Sequence, residues 1–247
     1  MTVAKKPRVA LVTGASRGIG ATIARRLVRD GFAVAVNYAA SSSEADELVT
    51  ELTRNGGKAI AVRADVSKSD EVGPLYETVE QQLGNIDVVV NNAGILKTAP
   101  LAQTSDELFA QTFAINVGGV FNMLREAATR VNEGGRIINL SSTTLALNLP
   151  GYAVYNGTKA AVEAFSRVFA KELRGRRITV NCVAPGPVAT ELFLNGKTDE
   201  QIRQFAQMPP LERLGQPEDI SGAVAFLAGP DGAWINGQVL RANGGVA

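Results

Sequence analysis

The chain has 247 residues, 45% of them hydrophobic and 20% charged, with a formal charge of +1 and no block of basic residues. That suits one well-filled α/β domain; the balanced charge speaks against nucleic acid or an acidic membrane surface as partner, and no apolar run reaches the length of a membrane span. With no histidine and one cysteine, Cys182, the Ser-His-Asp and Cys-His mechanisms and an intramolecular disulfide are excluded, and no metal site is expected.

Residues 1–8, with Lys5 and Lys6 but no long apolar stretch, read as a short solvated lead-in and not a signal peptide, so a cytoplasmic protein is expected. Short β-branched runs at 8–13, 33–38, 58–64, 86–90, 136–140, 178–183 and 238–241 predict strands. Between them, amphipathic stretches at 19–30, 43–55, 69–83, 105–114, 118–131, 153–174 and 217–228 predict helices. Start and stop signals mark several of these: Ser69 stands before Asp70 and Glu71, Gly31 follows Asp30, and Asn55 precedes Gly56 and Gly57. The alternation predicts an α/β fold: a single domain over residues 1–247, with a Rossmann-like, doubly wound parallel sheet of seven strands and helices on both faces. Ligands are then expected at the carboxyl ends of the strands, near the switch in strand order. Residues 185–216 lack the strand–helix rhythm, yet Val188, Leu192, Phe193, Leu194 and Phe205 make them too apolar for disorder. They read as a mobile cover over the site. Cys182 reads as a small buried strand residue.

Directly after the first strand, Gly14, Ser16, Arg17, Gly18, Ile19 and Gly20 form a Gly-x3-Gly-x-Gly turn that runs into the first helix. Such glycines permit a tight turn and a close approach of backbone to a pyrophosphate, while the helix N-terminus offers free N–H groups and a positive dipole end. An NAD-dependent protein places Asp or Glu at the end of the second strand to bind the ribose hydroxyls. Here that strand ends in Asn37, Tyr38 and Ala39, followed by Ser41, and the first carboxylate is Glu44. Asn37 and the serines offer donors instead, and Arg17 can pair with a 2′-phosphate, so NADP(H) is the expected cofactor. Asp65 and Val66 close the third strand, where a carboxylate and the adjacent amide suit adenine. Asn92, Ala93 and Gly94 close the fourth, where glycine lets a cofactor approach the backbone.

Tyr155 and Lys159 stand four apart in a predicted helix and so share one face. A free phenol, with a pKa near 10, is a poor acid–base group at neutral pH. An ammonium about 4 Å away, at an effective dielectric of about 20, favours the phenolate by roughly 4 kcal/mol. Without histidine, acid–base chemistry falls to Tyr, Lys or a carboxylate, and this pair is the candidate. Ser142 ends the fifth strand segment, thirteen residues before Tyr155, and Asn116 stands ahead of a long helix.

This ordered set (the loop at 13–20, Asp65, 91–94, Asn116, Ser142, Tyr155, Lys159, Pro185 and Gly186) resembles the short-chain dehydrogenase/reductase family in its single-domain NADP(H)-using form, over essentially the full length. The resemblance implies that Tyr155 is the general acid protonating a carbonyl oxygen as hydride arrives. Ser142 would donate a hydrogen bond to that oxygen. Lys159 would lower the Tyr155 pKa and bond the nicotinamide ribose, and Asn116 would hold a water that passes protons to Lys159. Pro185, Gly186, Val188 and Thr190 would place the nicotinamide. Ser141 rivals Ser142, but alternation along a strand aims neighbours apart, which favours Ser142. Two departures stand out: Gly157-Thr158 before Lys159, where many members carry Ala-Ser, and Asn243 where the family often has aspartate. The C-terminal stretch around Trp234 resembles tetramer-forming members, so a homotetramer is expected by analogy.

Thr144, Leu145, Leu147, Tyr152, Pro187, Leu192, Phe193 and Phe205 follow the reactive positions and are mostly apolar, which favours a lipophilic small-molecule ketone or aldehyde. An alternative substrate is a 3-oxoacyl group on an acidic acyl carrier protein. That would need a basic patch beside the pocket, for which Arg125, Arg130, Lys171, Arg174, Arg176 and Arg177 are candidates. A non-catalytic dinucleotide sensor is a third reading, though such a protein has no reason to keep Ser142, Tyr155, Lys159 and Asn116 together.

Overall fold

The computed structural model describes residues 6–54 and 56–247; most of the lead-in and the stop signal at Asn55 lie outside the described residues. Seven strands, β1 (Val9–Val12), β2 (Ala33–Tyr38), β3 (Lys58–Arg63), β4 (Ile86–Asn91), β5 (Arg136–Leu140), β6 (Thr179–Pro185) and β7 (Val239–Ala242), form one sheet in the order β3-β2-β1-β4-β5-β6-β7. Every pairing is parallel. β1, β2 and β5 are buried along nearly their whole length, as strands covered on both faces must be.

Alternation along each strand divides the core in two. On one face, Val9, Leu11 and Ile137 pack under α3 (Ser69–Gln82), α5 (Gly119–Arg130) and α7 (Ala153–Glu172). On the other, Ala10, Val12 and Ile138 pack under α1 (Gly18–Arg29), α2 (Ser42–Arg54) and α10 (Pro217–Ala228). The helix layer changes side between β1 and β4, so the switch in strand order opens a crevice at their carboxyl ends.

Four departures from the sequence expectation matter for the site. The helices expected at 105–114 and 118–131 are one continuous run: α4 (Asp106–Phe113) passes into α5 through a π-helical turn at Ala114–Gly118. β6 continues to Pro185, because β7 still pairs alongside at Ala184 and Pro185 and proline's missing N–H is not needed there. The segment at 185–216 is not irregular. It contains α8 (Glu191–Leu194), capped by Thr190, and α9 (Asp199–Gln207), whose start is a capping box between Thr198 and Gln201. A further short helix, α6 (Thr144–Leu147), follows β5.

Candidate active site

The glycine turn is held from both sides. Thr13 Oγ1 accepts from the amides of Asn92 and Ala93, each at 3.0 Å, and Asn92 Nδ2 donates to the Thr13 and Gly14 carbonyls at 2.9 Å. Gly14 sits at φ +58°, where a Cβ would also stand 2.8 Å from Ala93 Cα, and a Cβ on Gly20 would meet Asn92 Nδ2 at 2.5 Å. The turn therefore leaves Ser16, Arg17, Gly18 and Ile19 at the N-terminus of α1, with no acidic residue in that helix's first turn. These residues line a cleft of about 1510 Å³, open to solvent, with Asn37, Tyr38, Ala39, Ser41, Asp65, Val66, Asn92, Ala93, Gly94 and Thr190. Ala40, Ile95, Ile115, Glu191 and Asn195 line it too and carried no motif in the sequence. An anion-favouring helix end, an exposed Arg17 and the lack of a carboxylate on β2 fit a dinucleotide bearing a 2′-phosphate.

Two residues in this cleft serve the protein itself. The Asn37 side chain was expected to donate to the cofactor. It is 1% exposed, its Nδ2 donates to the Val62 and Ala64 carbonyls, and its Oδ1 accepts from the Gly14 amide at 3.4 Å. Its donors are spent bracing β3 and the glycine turn. Asp65 Oδ1 accepts from the amide and hydroxyl of Ser67, so one carboxylate oxygen caps the turn into α3.

At the carboxyl ends of β5 and β6 a second cavity, about 970 Å³ counting its mouth, adjoins the first through Ile19, Asn92, Gly94 and Thr190. Ser142, Tyr155 and Lys159 line it with Pro185, Gly186, Pro187 and Val188. Ser142 and Tyr155 line the same cavity, whereas the Ser141 hydroxyl donates to Glu163 Oε1 at 2.7 Å. Lys159 is 6% exposed, donates from Nζ to the Leu140 carbonyl at 2.8 Å, and lies 5.6 Å from the centre of the Tyr155 ring. The π-helical turn seats Asn116, whose side chain exchanges two hydrogen bonds with the Ile95 backbone and donates to Thr158 Oγ1. Gly94 admits both neighbours: a Cβ there would stand 3.1 Å from Asn116 Oδ1 and 3.8 Å from Lys159 Nζ.

The electrostatics differ from the expected ion-pair effect. Burial pushes the Tyr155 phenol up to about 12, with the nearby Ser142 hydroxyl pulling the other way. Burial also pushes Lys159 down to about 8. Nζ is turned toward Leu140, and removal from water is the largest influence on each group.

Of the residues proposed from the sequence for a substrate pocket, Thr144, Leu147, Tyr152, Pro187, Leu192, Phe193 and Phe205 line this cavity. Leu145 is not among the residues that line it. Ile95, Leu96, Leu149 and Met208 also line the wall and were missed in the sequence. Phe193 and Phe205 stack edge to face at 5.2 Å, which joins α8 to α9 across the mouth. The basic residues considered for a carrier-protein patch lie elsewhere. α7 starts at the site and runs 20 residues, about 30 Å, so Lys171, Arg174, Arg176 and Arg177 fall toward the opposite end of the strands. Arg130, at the far end of α5, is held by Glu77, Glu80 and Glu126.

No described helix is long and apolar enough to cross a membrane. A family profile described as enoyl-(acyl carrier protein) reductase matches residues 14–247. A short-chain type dehydrogenase/reductase from Picea abies is 46% identical over 96% of this chain and 92% of its own length. An NADPH-dependent aldehyde reductase-like, chloroplastic protein from Arabidopsis thaliana is 42% identical over 96% of this chain and 93% of its own. Among solved structures, a blue fluorescent protein from a metagenomic library in complex with NADPH superposes with a TM-score of 0.92, at 38% identity over 97% of this chain and 98% of that one. With the dinucleotide turn, the Ser142–Tyr155–Lys159 cavity and these relatives in agreement along nearly the whole chain, the protein belongs to the short-chain dehydrogenase/reductase family.

Proposed function

We propose that this NADP(H)-dependent oxidoreductase reduces the carbonyl of a mostly apolar ketone or aldehyde to an alcohol, with Tyr155 as proton donor. The observation that carries the reading is that Ser142, Tyr155 and Lys159 share a mostly apolar cavity continuous with the dinucleotide cleft. The cofactor would lie along Gly14, Ser16, Arg17, Gly18, Ile19 and Gly20, with its 2′-phosphate near Arg17 and Ser41 and its nicotinamide near Gly186, Val188 and Thr190. When bound it supplies hydride. Tyr155 gives its hydroxyl proton to the carbonyl oxygen, which lowers the barrier by removing charge as it develops. Ser142 donates to the same oxygen and stabilises that charge before the proton arrives. Lys159 would hold the ribose and supply positive charge near the phenol, and Asn116, fixed by Ile95 and Thr158, would support a water on the proton path to Lys159. Residues 185–216, through α8 and α9, cover the substrate and keep water out.

A free small molecule fits better than a carrier-bound acyl group, since most of the basic residues that would dock a carrier, Arg130, Lys171, Arg174, Arg176 and Arg177, stand toward the far end of the strands. A homotetramer in the cytoplasm completes the proposal. Trp234, 98% exposed, with Phe226 and Leu240 near the β7 edge, provides apolar surface for such an assembly. The test is NADPH consumption against a panel of apolar ketones and aldehydes, with the alcohol identified. Tight NADPH binding with no turnover on any carbonyl would instead support a dinucleotide sensor.

A further inference from the structure

A serine stabilises a developing oxyanion only when its single proton points at that oxygen. Two groups of Thr144 converge on Ser142 Oγ. The Thr144 amide lies 3.2 Å away and its hydroxyl 2.9 Å away. An amide can only donate, so one Ser142 lone pair is already taken. Once the Thr144 hydroxyl donates as well, both lone pairs are filled and the Ser142 hydrogen is left for the cavity that Tyr155 also lines. The reverse sense, Ser142 donating to Thr144, would aim lone pairs at the reacting oxygen.

Thr144 is itself held. Its carbonyl accepts from Asn156 Nδ2 at 3.0 Å, and Asn156 is next to Tyr155 on α7. Asn156 Oδ1 is buried with no hydrogen-bond partner among the described residues. A side chain that leaves its carbonyl unpaired carries a cost, so the bond to Thr144 is what fixes this amide. α6, which begins at Thr144, has only four residues, and Asn156 ties that short turn to the helix bearing the phenol.

On the reading that Tyr155 protonates the substrate, we infer that Thr144 is a positioning residue. Its hydroxyl donates to Ser142 Oγ and turns the Ser142 proton toward Tyr155 and the carbonyl oxygen, with Asn156 holding Thr144 in place. Hydrogen bonds in such a chain polarise one another, so Ser142 also becomes the stronger donor.

The experiment compares the parent with Thr144→Val, Thr144→Ser and Tyr155→Phe at saturating NADPH on one carbonyl substrate. Valine keeps the shape of threonine and removes the hydroxyl; serine keeps the hydroxyl. In Thr144→Val the kcat falls roughly five-fold, the effect of one net hydrogen bond, while KM stays within about twofold. Thr144→Ser stays close to the parent. An unchanged or raised kcat in Thr144→Val, or an equal loss in Thr144→Ser, would overturn the assignment. Sustained turnover in Tyr155→Phe would overturn the proton-donor reading, and the role of Thr144 with it. An inactive Tyr155→Phe beside an unaltered Thr144→Val would overturn the role of Thr144 alone.

Discussion

Replacing Lys159 by Met removes an ammonium that the fold has buried beside the phenol, and the consequence is a stability curve with a defined sign. Lys159 is 6% exposed and its pKa is lowered from 10.5 to about 8. Below pH 8 the lysine is charged in both the folded and the unfolded chain, so the fold bears the full cost of burying that charge. Between pH 8 and 10.5 the folded form has lost the proton while the unfolded chain keeps it, so stability rises with pH. Over that window the parent gains roughly 3 kcal/mol relative to Lys159→Met. Urea unfolding of the cofactor-free protein, at fixed concentration and in steps from pH 7 to 10.5, measures the difference between the two proteins. Groups common to both cancel in that difference, including the buried Tyr76 and the half-buried Tyr152. A difference that stays flat would show Lys159 titrating as a free lysine. A parent that loses ground as pH rises would show the opposite, an ammonium stabilised by a phenolate partner, and would refute the reasoning from burial.

Two other substitutions separate cofactor contact from support of the fold. Arg17→Ala should raise the KM for NADPH about 10- to 100-fold and leave that for NADH unchanged, the loss expected of a charged hydrogen bond to the 2′-phosphate. Equal losses with both cofactors in steady-state assays would show that Arg17 does not read the phosphate. Asn37→Ala removes the side-chain donor to the Val62 and Ala64 carbonyls and the acceptor of the Gly14 amide. It should cost about 2–4 kcal/mol and lower the melting temperature by roughly 5–15 °C. An unaltered melting curve with a raised KM for NADPH would return Asn37 to the role of cofactor donor.

The strands could be read from the sequence because a parallel strand buried on both faces is a run such as Val9, Ala10, Leu11 and Val12, and little else in the chain looks like that. α8 and α9 could not be read by periodicity. They are four and nine residues long, and Leu192, Phe193 and Phe205 face a cavity instead of a core. Thr190 and Thr198 were the available signals, through their caps. Asn37 was misread because strand position gives a side chain's face and not which carbonyls meet it there. The shared face of Tyr155 and Lys159 follows from helical spacing alone, but their electrostatics depend on depth and on the Leu140 carbonyl, which is distant in sequence. The basic residues of α5 and α7 were legible as charge. Only the 20-residue length of α7 reveals that they sit at the wrong end of the sheet for the site.

The central claim is that Tyr155 delivers the proton in an NADPH-dependent carbonyl reduction. Its most direct test is Tyr155→Phe, which removes one hydroxyl from the cavity and leaves the ring. With NADPH affinity measured by fluorescence titration and turnover measured on the best carbonyl of the panel, the account predicts near-parental NADPH binding and a kcat lowered at least about 100-fold. Parental kcat in a variant that still binds NADPH would contradict it.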